Sequence, residues 1–160
     1  MASAVFFSIL FLFYQYYTNF ISSESGSIDD IIEDSKLVSG HLVSSGYPDD
    51  WDSTNATRIG ITDNNQRINF TKLSYLSEME YNMSKAVLGT SFDYIIFFYN
   101  SEGNLDSINL SDSESISLVG KPGITYDNVY DEEQPEKLIV TSRFLIHNSS
   151  IYRMVLYLWD

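Results

Sequence analysis

Ala2–Ile21 reads ASAVFFSILFLFYQYYTNFI, and how this stretch is read decides the fold. It contains no charged side chain and holds eight aromatics: Phe6, Phe7, Phe11, Phe13, Tyr14, Tyr16, Tyr17 and Phe20. About 20 predominantly apolar residues are what a helix needs to cross a hydrocarbon core. A cleaved secretory signal fits poorly, because no Lys or Arg precedes the apolar run and no A-x-A-like site follows it. Two readings remain: a membrane anchor whose tyrosines form an interfacial belt, and a helix that leaves the membrane to become the core of a helical assembly. Ring-on-ring packing suits the second, adding about 0.5–1.5 kcal/mol per pair beyond burial. The two are compatible, since one helix can serve both states in turn.

Beyond it, Ser22–Gly26 interrupts the helical pattern, and Ser27 with Asp30 reads as an N-cap with an acidic N3 that restarts it. Ile28, Ile31, Val38 and Leu42 then recur at helical spacing, with Ser35 completing the seam. Asp29, Asp30, Glu33 and Asp34 crowd the first turns, where the helix dipole favours negative charge. Gly46 and Pro48 end the pattern. If collinear, residues 3–45 span roughly 60 Å at ~1.5 Å per residue. The expected fold class is α+β: a long N-terminal hydrophobic helix over residues 1–45 as a spine, followed by a β-rich head over residues 46–160. The head is expected to hold an antiparallel sheet and one additional helix.

In the head, Thr57–Thr62 reads as a short strand, and Leu73, Leu76, Met83 and Val87 mark the additional helix over about 71–88, ended by Gly89. Phe92–Tyr99 (FDYIIFFY) is the most strand-like run, followed by a hairpin loop at Ser101–Asn104 into Leu105–Leu110. Lys121–Glu136 is a long acidic loop, and residues 137–147 and 151–159 are strands joined at Asn148-Ser149-Ser150.

The 160-residue chain carries 9 basic and 22 acidic residues, a formal charge of -13 that argues against nucleic acid and anionic lipid as partners. Without cysteine there is no disulfide, Cys-ligated zinc or thiol catalysis. The two histidines, His41 and His147, have no third group spaced for a triad or a metal site. Asp127, Asp131, Glu132, Glu133 and Glu136 match no EF-hand spacing and read as a solvated loop. No Gly-rich phosphate loop is present. These residues give no enzyme and no cofactor. Five N-x-S/T sequons, at Asn55, Asn69, Asn82, Asn109 and Asn148, are candidate N-glycosylation sites if the head faces outside.

The uncharged N-terminal stretch, its amphipathic continuation and the β-rich head together resemble an archaeal type IV pilin-like protein of the class III signal peptide type. The residue-level likeness lies in Leu42–Leu76, LVSSGYPDDWDSTNATRIGITDNNQRINFTKLSYL, where a helix ends at a GYP-x-x-W turn and an R-I-G-I strand leads to an N-x-T-K-L helix start. A precursor of that type would carry a short basic leader, which is not visible before Ala2, and Val5 and Phe6 stand where bacterial pilins have an acid. The resemblance implies a structural subunit of an extracellular type IV pilus-like filament: a homopolymer, in the membrane before assembly, with Phe6, Phe7, Phe11, Phe13, Tyr14 and Tyr17 as core contacts. The alternative is a monomeric membrane-anchored surface-binding domain.

Overall fold

The computed structural model describes residues 9–11, 13, 14, 28–63, 65–109 and 115–160. Its centre is β1 (Asp93–Tyr99), where Tyr94, Ile95, Ile96, Phe97 and Phe98 are all buried. Side chains alternate between the faces of a strand, so five consecutive buried residues mean that both faces are covered. β1 pairs antiparallel along one edge with β7 (Ser150–Trp159), which pairs antiparallel with β6 (Leu138–His147). Its other edge is shared by β2 (Leu105–Asp106) and β5 (Leu118–Gly120), both antiparallel. Two further pieces, β3 (Ile108–Asn109) and β4 (Ser115–Ile116), form a separate two-stranded ladder.

One face of the sheet presents Tyr94, Ile96, Phe98, Met154, Leu156 and Leu158 to a core shared with α1, the helix over residues 28–42. Ile31, Ser35, Val38 and Leu42 of the expected seam are fully buried there, while Ile28 is 40% exposed. Serines let the helix approach closely: Ser35 Oγ lies 2.6 Å from Thr141 Oγ1, and Arg143 Nε donates to Ser39 Oγ at 3.2 Å. The other face carries Ile95, Phe97, Val155 and Trp159, and is covered by Ile124, Tyr126 and Val129 from the segment that ends in α4 (Val129–Glu132).

The expected long apolar N-terminal helix is corrected. The longest helix among the described residues is α1, and none of their helices is long and apolar enough to cross a membrane. Asp29, Asp30, Glu33 and Asp34 make α1 amphipathic, and its apolar seam is taken by the head's own core. It is an element of the head. Of the expected core contacts, Phe11, Phe13 and Tyr14 have helical backbone, while Phe6, Phe7 and Tyr17 lie outside the described residues.

α1 stops at residue 42, three residues short of the expected end, and the carbonyls of Leu42–Ser45, at and just beyond that end, take tertiary donors in place of helical ones. Helix ends leave four carbonyls without intrahelical partners. Here the Ile61 amide donates to Leu42 O at 2.8 Å, Thr62 Oγ1 to Val43 O at 2.7 Å, the Thr62 amide to Ser44 O at 3.2 Å and Lys72 Nζ to Ser45 O at 2.7 Å. The Lys72 ammonium is also the charge that a helix C-terminus favours. Ile61 and Thr62 are thereby spent at the end of α1, Thr57 and Arg58 donate to Tyr47 O, and residues 57–62 form only isolated bridges, Tyr47 to Arg58 and Thr62 to Ile68, in place of the expected strand.

The expected single helix over 71–88 is two: α2 (Phe70–Glu78) and α3 (Tyr81–Leu88). Asn69 caps α2 by accepting from the Lys72 amide. Met79 leaves helical geometry at ψ 138°, and the Glu80 carboxylate accepts from the amides of Asn82 and Met83 to start α3. No Gly or Pro marks this break.

The GYP-x-x-W and R-I-G-I motifs form one lock. Trp51 is buried and its Nε1 donates to Gly60 O at 3.0 Å. A Cβ at Gly60 would lie 2.3 Å from both Gly46 N and Ser44 O, so only glycine lets these backbones meet. Gly60→Ala is therefore expected to lower unfolding free energy by about 1–3 kcal/mol, read as a shifted urea midpoint. An unchanged midpoint would show that the α1 terminus yields without cost.

Candidate functional site

Three features of the structure bear on function: the exposed N-terminal aromatics, a charged cluster beside a cavity, and the half-covered sheet face.

Ile9, Leu10, Phe11, Phe13 and Tyr14 are 51–72% exposed, in contrast with the head, whose large apolar side chains are mostly packed inside. Uncharged and largely aromatic, these exposed residues are of the kind that monomeric soluble proteins seldom present together.

The cluster is built on Asp93, the first residue of β1. Its Oδ1 accepts from Lys85 Nζ at 2.6 Å and from Tyr81 OH at 2.9 Å, and its Oδ2 from Lys121 Nζ at 2.7 Å. Lys121 also pairs with Glu133. α3 supplies Tyr81 and Lys85 one turn apart on one face, and the chain leaving β5 supplies Lys121. Gly120 makes that exit possible: φ is 138°, and a Cβ would lie 2.3 Å from Tyr94 O. Burial pushes Asp93 up, but hydrogen bonds from Lys121, Lys85 and Tyr81 outweigh it and hold the carboxyl below its usual range. Burial raises the Tyr81 phenol well above its ordinary value and the Tyr94 phenol to about 12. A cavity of about 230 Å³ adjoins the cluster, lined in part by Ser84, Tyr94 and Lys121. Ser84 Oγ and Tyr94 OH are 2.6 Å apart, and each tyrosine keeps its proton at neutral pH. With an ionised, doubly paired carboxylate and protonated phenols, the cluster offers neither a free base nor an activated nucleophile. It ties α3, β1 and the β5–α4 segment together.

Among the described residues no three metal-binding side chains converge. Of the acidic-loop residues, Glu133 is engaged by Lys121, and Asp131 and Glu132 are exposed on α4. His41 and His147 stand apart: His147 is buried with its ring edge-on to Phe70 and Tyr152, at 5.1 Å from each.

The five sequons differ in access. Asn55, Asn82, Asn109 and Asn148 are exposed, while Asn69 is half-buried. The Asn69 amide is committed at both atoms, donating to Asp63 and accepting from the Lys72 backbone. Ser84, the hydroxyl of the Asn82 sequon, is buried and donates to Tyr81 O.

The second sheet face was not foreseen as a surface. Its β1 half lies under α4, but Val140, Phe144 and Ile151 are 53–67% exposed beside an exposed Arg153. The alternation of β6 carries the signal, since KLIVTSRFLIH places apolar residues on both faces.

Comparison with protein-family models, with curated proteins and with solved structures finds no significant match.

Burial lowers the His147 pKa from its ordinary 6.5, against an opposing pull from Asp106, and burial followed by Arg58 lowers that of His41. The unfolded chain then takes up protons first, so the stability carried by neutral imidazole is complete above about pH 6.5 and is lost as pH falls towards the folded values. Between about pH 7.5 and pH 5.5, above the carboxylate range, urea denaturation should show declining stability, with a shallower decline in His147→Phe. Equal slopes would remove His147 as the cause.

Proposed function

We propose that this chain is a structural subunit of an extracellular type IV pilus-like filament, with its aromatic N-terminal stretch as the assembling element and its head outermost. The observation that carries the proposal is the exposure of Ile9, Leu10, Phe11, Phe13 and Tyr14 beside a head with a complete core of its own. Such a surface is held in the membrane before assembly and covered by identical surfaces afterwards. Lipid is nearly as apolar as protein, so transfer between the two is decided by packing rather than by hydrophobicity. Aromatic rings supply that packing. The net charge of -13 keeps neighbouring filaments apart and solvated.

The test separates this proposal from a monomeric surface domain anchored in lipid. Phe11→Ala with Phe13→Ala should leave the chain in the membrane fraction and abolish filaments in material sheared from the cell surface. Removing a packed Phe costs about 3–5 kcal/mol per site. Phe11→Leu, which keeps most of the apolar area but no ring, should impair assembly while leaving membrane partitioning intact. Wild-type protein recovered only as detergent-extractable monomer would favour the anchored domain.

On the surface of such a filament, N-linked glycans belong on Asn55, Asn109 and Asn148, whose side chains are exposed and on non-helical backbone. Glycopeptide mass spectrometry of native protein should find these modified in preference to Asn69 and Asn82. Full occupancy at Asn69 would show that modification precedes folding.

A further inference from the structure

The half-covered sheet face holds a knob and a groove of matching chemistry. The groove, about 350 Å³, is lined by Asn100, Ser101, Gly103, Phe144, Ile151 and Arg153. Phe144 lies opposite Arg153 in the β6–β7 register, and Ile151 lies two residues along β7 on the same face. The Arg153 guanidinium sits 4.6 Å above the Tyr99 ring and forms no ion pair among the described residues, in a chain with 22 acidic side chains. Glu102 in the flanking loop accepts from the Asn104 side chain. This groove therefore calls for an aromatic or apolar group with a carboxylate beside it.

α4 carries that combination. Tyr130 is 61% exposed and is followed by Asp131 and Glu132, both exposed. Val129 of the same helix is fully buried against the sheet, which fixes α4 on the face that also bears the groove.

We propose that a second copy of this chain is the occupant: Tyr130 of each head enters the groove of the other, with Asp131 and Glu132 on Arg153. Knob and groove share one face, so the contact is self-complementary and closes as a two-fold pair, unlike a head-to-tail contact that propagates. It goes beyond filament assembly, because it joins heads whether or not the N-terminal stretches have assembled. In a filament it links subunits laterally. Each contact is small by the standard of stable interfaces and gains persistence from the many copies that a polymer presents at once.

The experiment uses the full chain in detergent micelles, with self-association followed by sedimentation. Arg153→Glu sets like charges opposite each other and should weaken pairing at least about tenfold, which corresponds to ~1.4 kcal/mol. The Asp131→Lys, Glu132→Lys double variant should do the same. An equimolar mixture of the two should regain wild-type association, because reversed groove meets reversed knob and native groove meets native knob. All these positions are exposed, and thermal melts establish that the variants fold. The chain has no cysteine, so chains carrying Tyr130→Cys and Ile151→Cys can be mixed and oxidised. They should form a cross-linked pair well above that given by Tyr130→Cys with Thr54→Cys. Failure of the mixture to recover overturns the proposal. So does weakening by Arg153→Glu but not by the α4 variant, which would assign the groove to another acidic segment such as Asp29–Asp30. Absence of self-association up to about 1 mM, or cross-linking no better than the Thr54 control, also overturns it. None of these results depends on filament formation, which the Phe11 and Phe13 variants test separately.

Discussion

β1 is buried on both faces, and this double burial is the constraint that the rest of the head satisfies. A strand with Tyr94, Ile96 and Phe98 on one side and Ile95 and Phe97 on the other needs two covers. α1, α2 and α3 supply the first, and the segment through Ile124 and α4 supplies the second. The second cover is short and has little core of its own, so it has to be held. Lys121 holds it: at the exit from β5 it joins Asp93 on β1 to Glu133 just after α4. Charge placed at the margin of an apolar layer thus fixes where that layer ends.

The three long β-strands were legible because their pattern is local, whereas the expected strand over 57–62 is absent and the run from Leu105 is divided between β2 and β3. FDYIIFFY and the two C-terminal runs form strands within one residue of their expected bounds, and the hairpin turn falls at Asn148 and Ser149, both in left-handed backbone. Four positions of the α1 seam were legible for the same reason. Its end was not, since the donors that stop it, Ile61, Thr62 and Lys72, come from 19 or more residues away and leave no mark near residue 42. The break between α2 and α3 was hidden because Glu80 does the capping that Ser, Asp or Asn ordinarily does.

The candidate surfaces divide likewise. The N-terminal aromatics were visible in composition, although among the described residues the longest helix is α1, which is amphipathic and packs into the head. The Asp93 cluster joins residues from 81 to 133 and has no spacing signature. The exposed strip on β6 and β7 was obscured by an alternation that is apolar on both faces. In such a strand, sequence says that two surfaces exist but not that one of them stays bare.

The short serine contacts between α1 and β6 have a mechanical consequence. Ser35 meets Thr141 and, one helical turn on, Ser39 meets Arg143, and β6 is in turn bonded residue by residue to β7. A pull on the N-terminal end of α1 is therefore shared by two lateral bonds one turn apart, which load together in shear. The carbonyls of Leu42–Ser45, at and just beyond the end of α1, are held by Ile61, Thr62 and Lys72 and brace the far end against the same traction. A head built this way resists tension along its helix better than peeling at its hairpin.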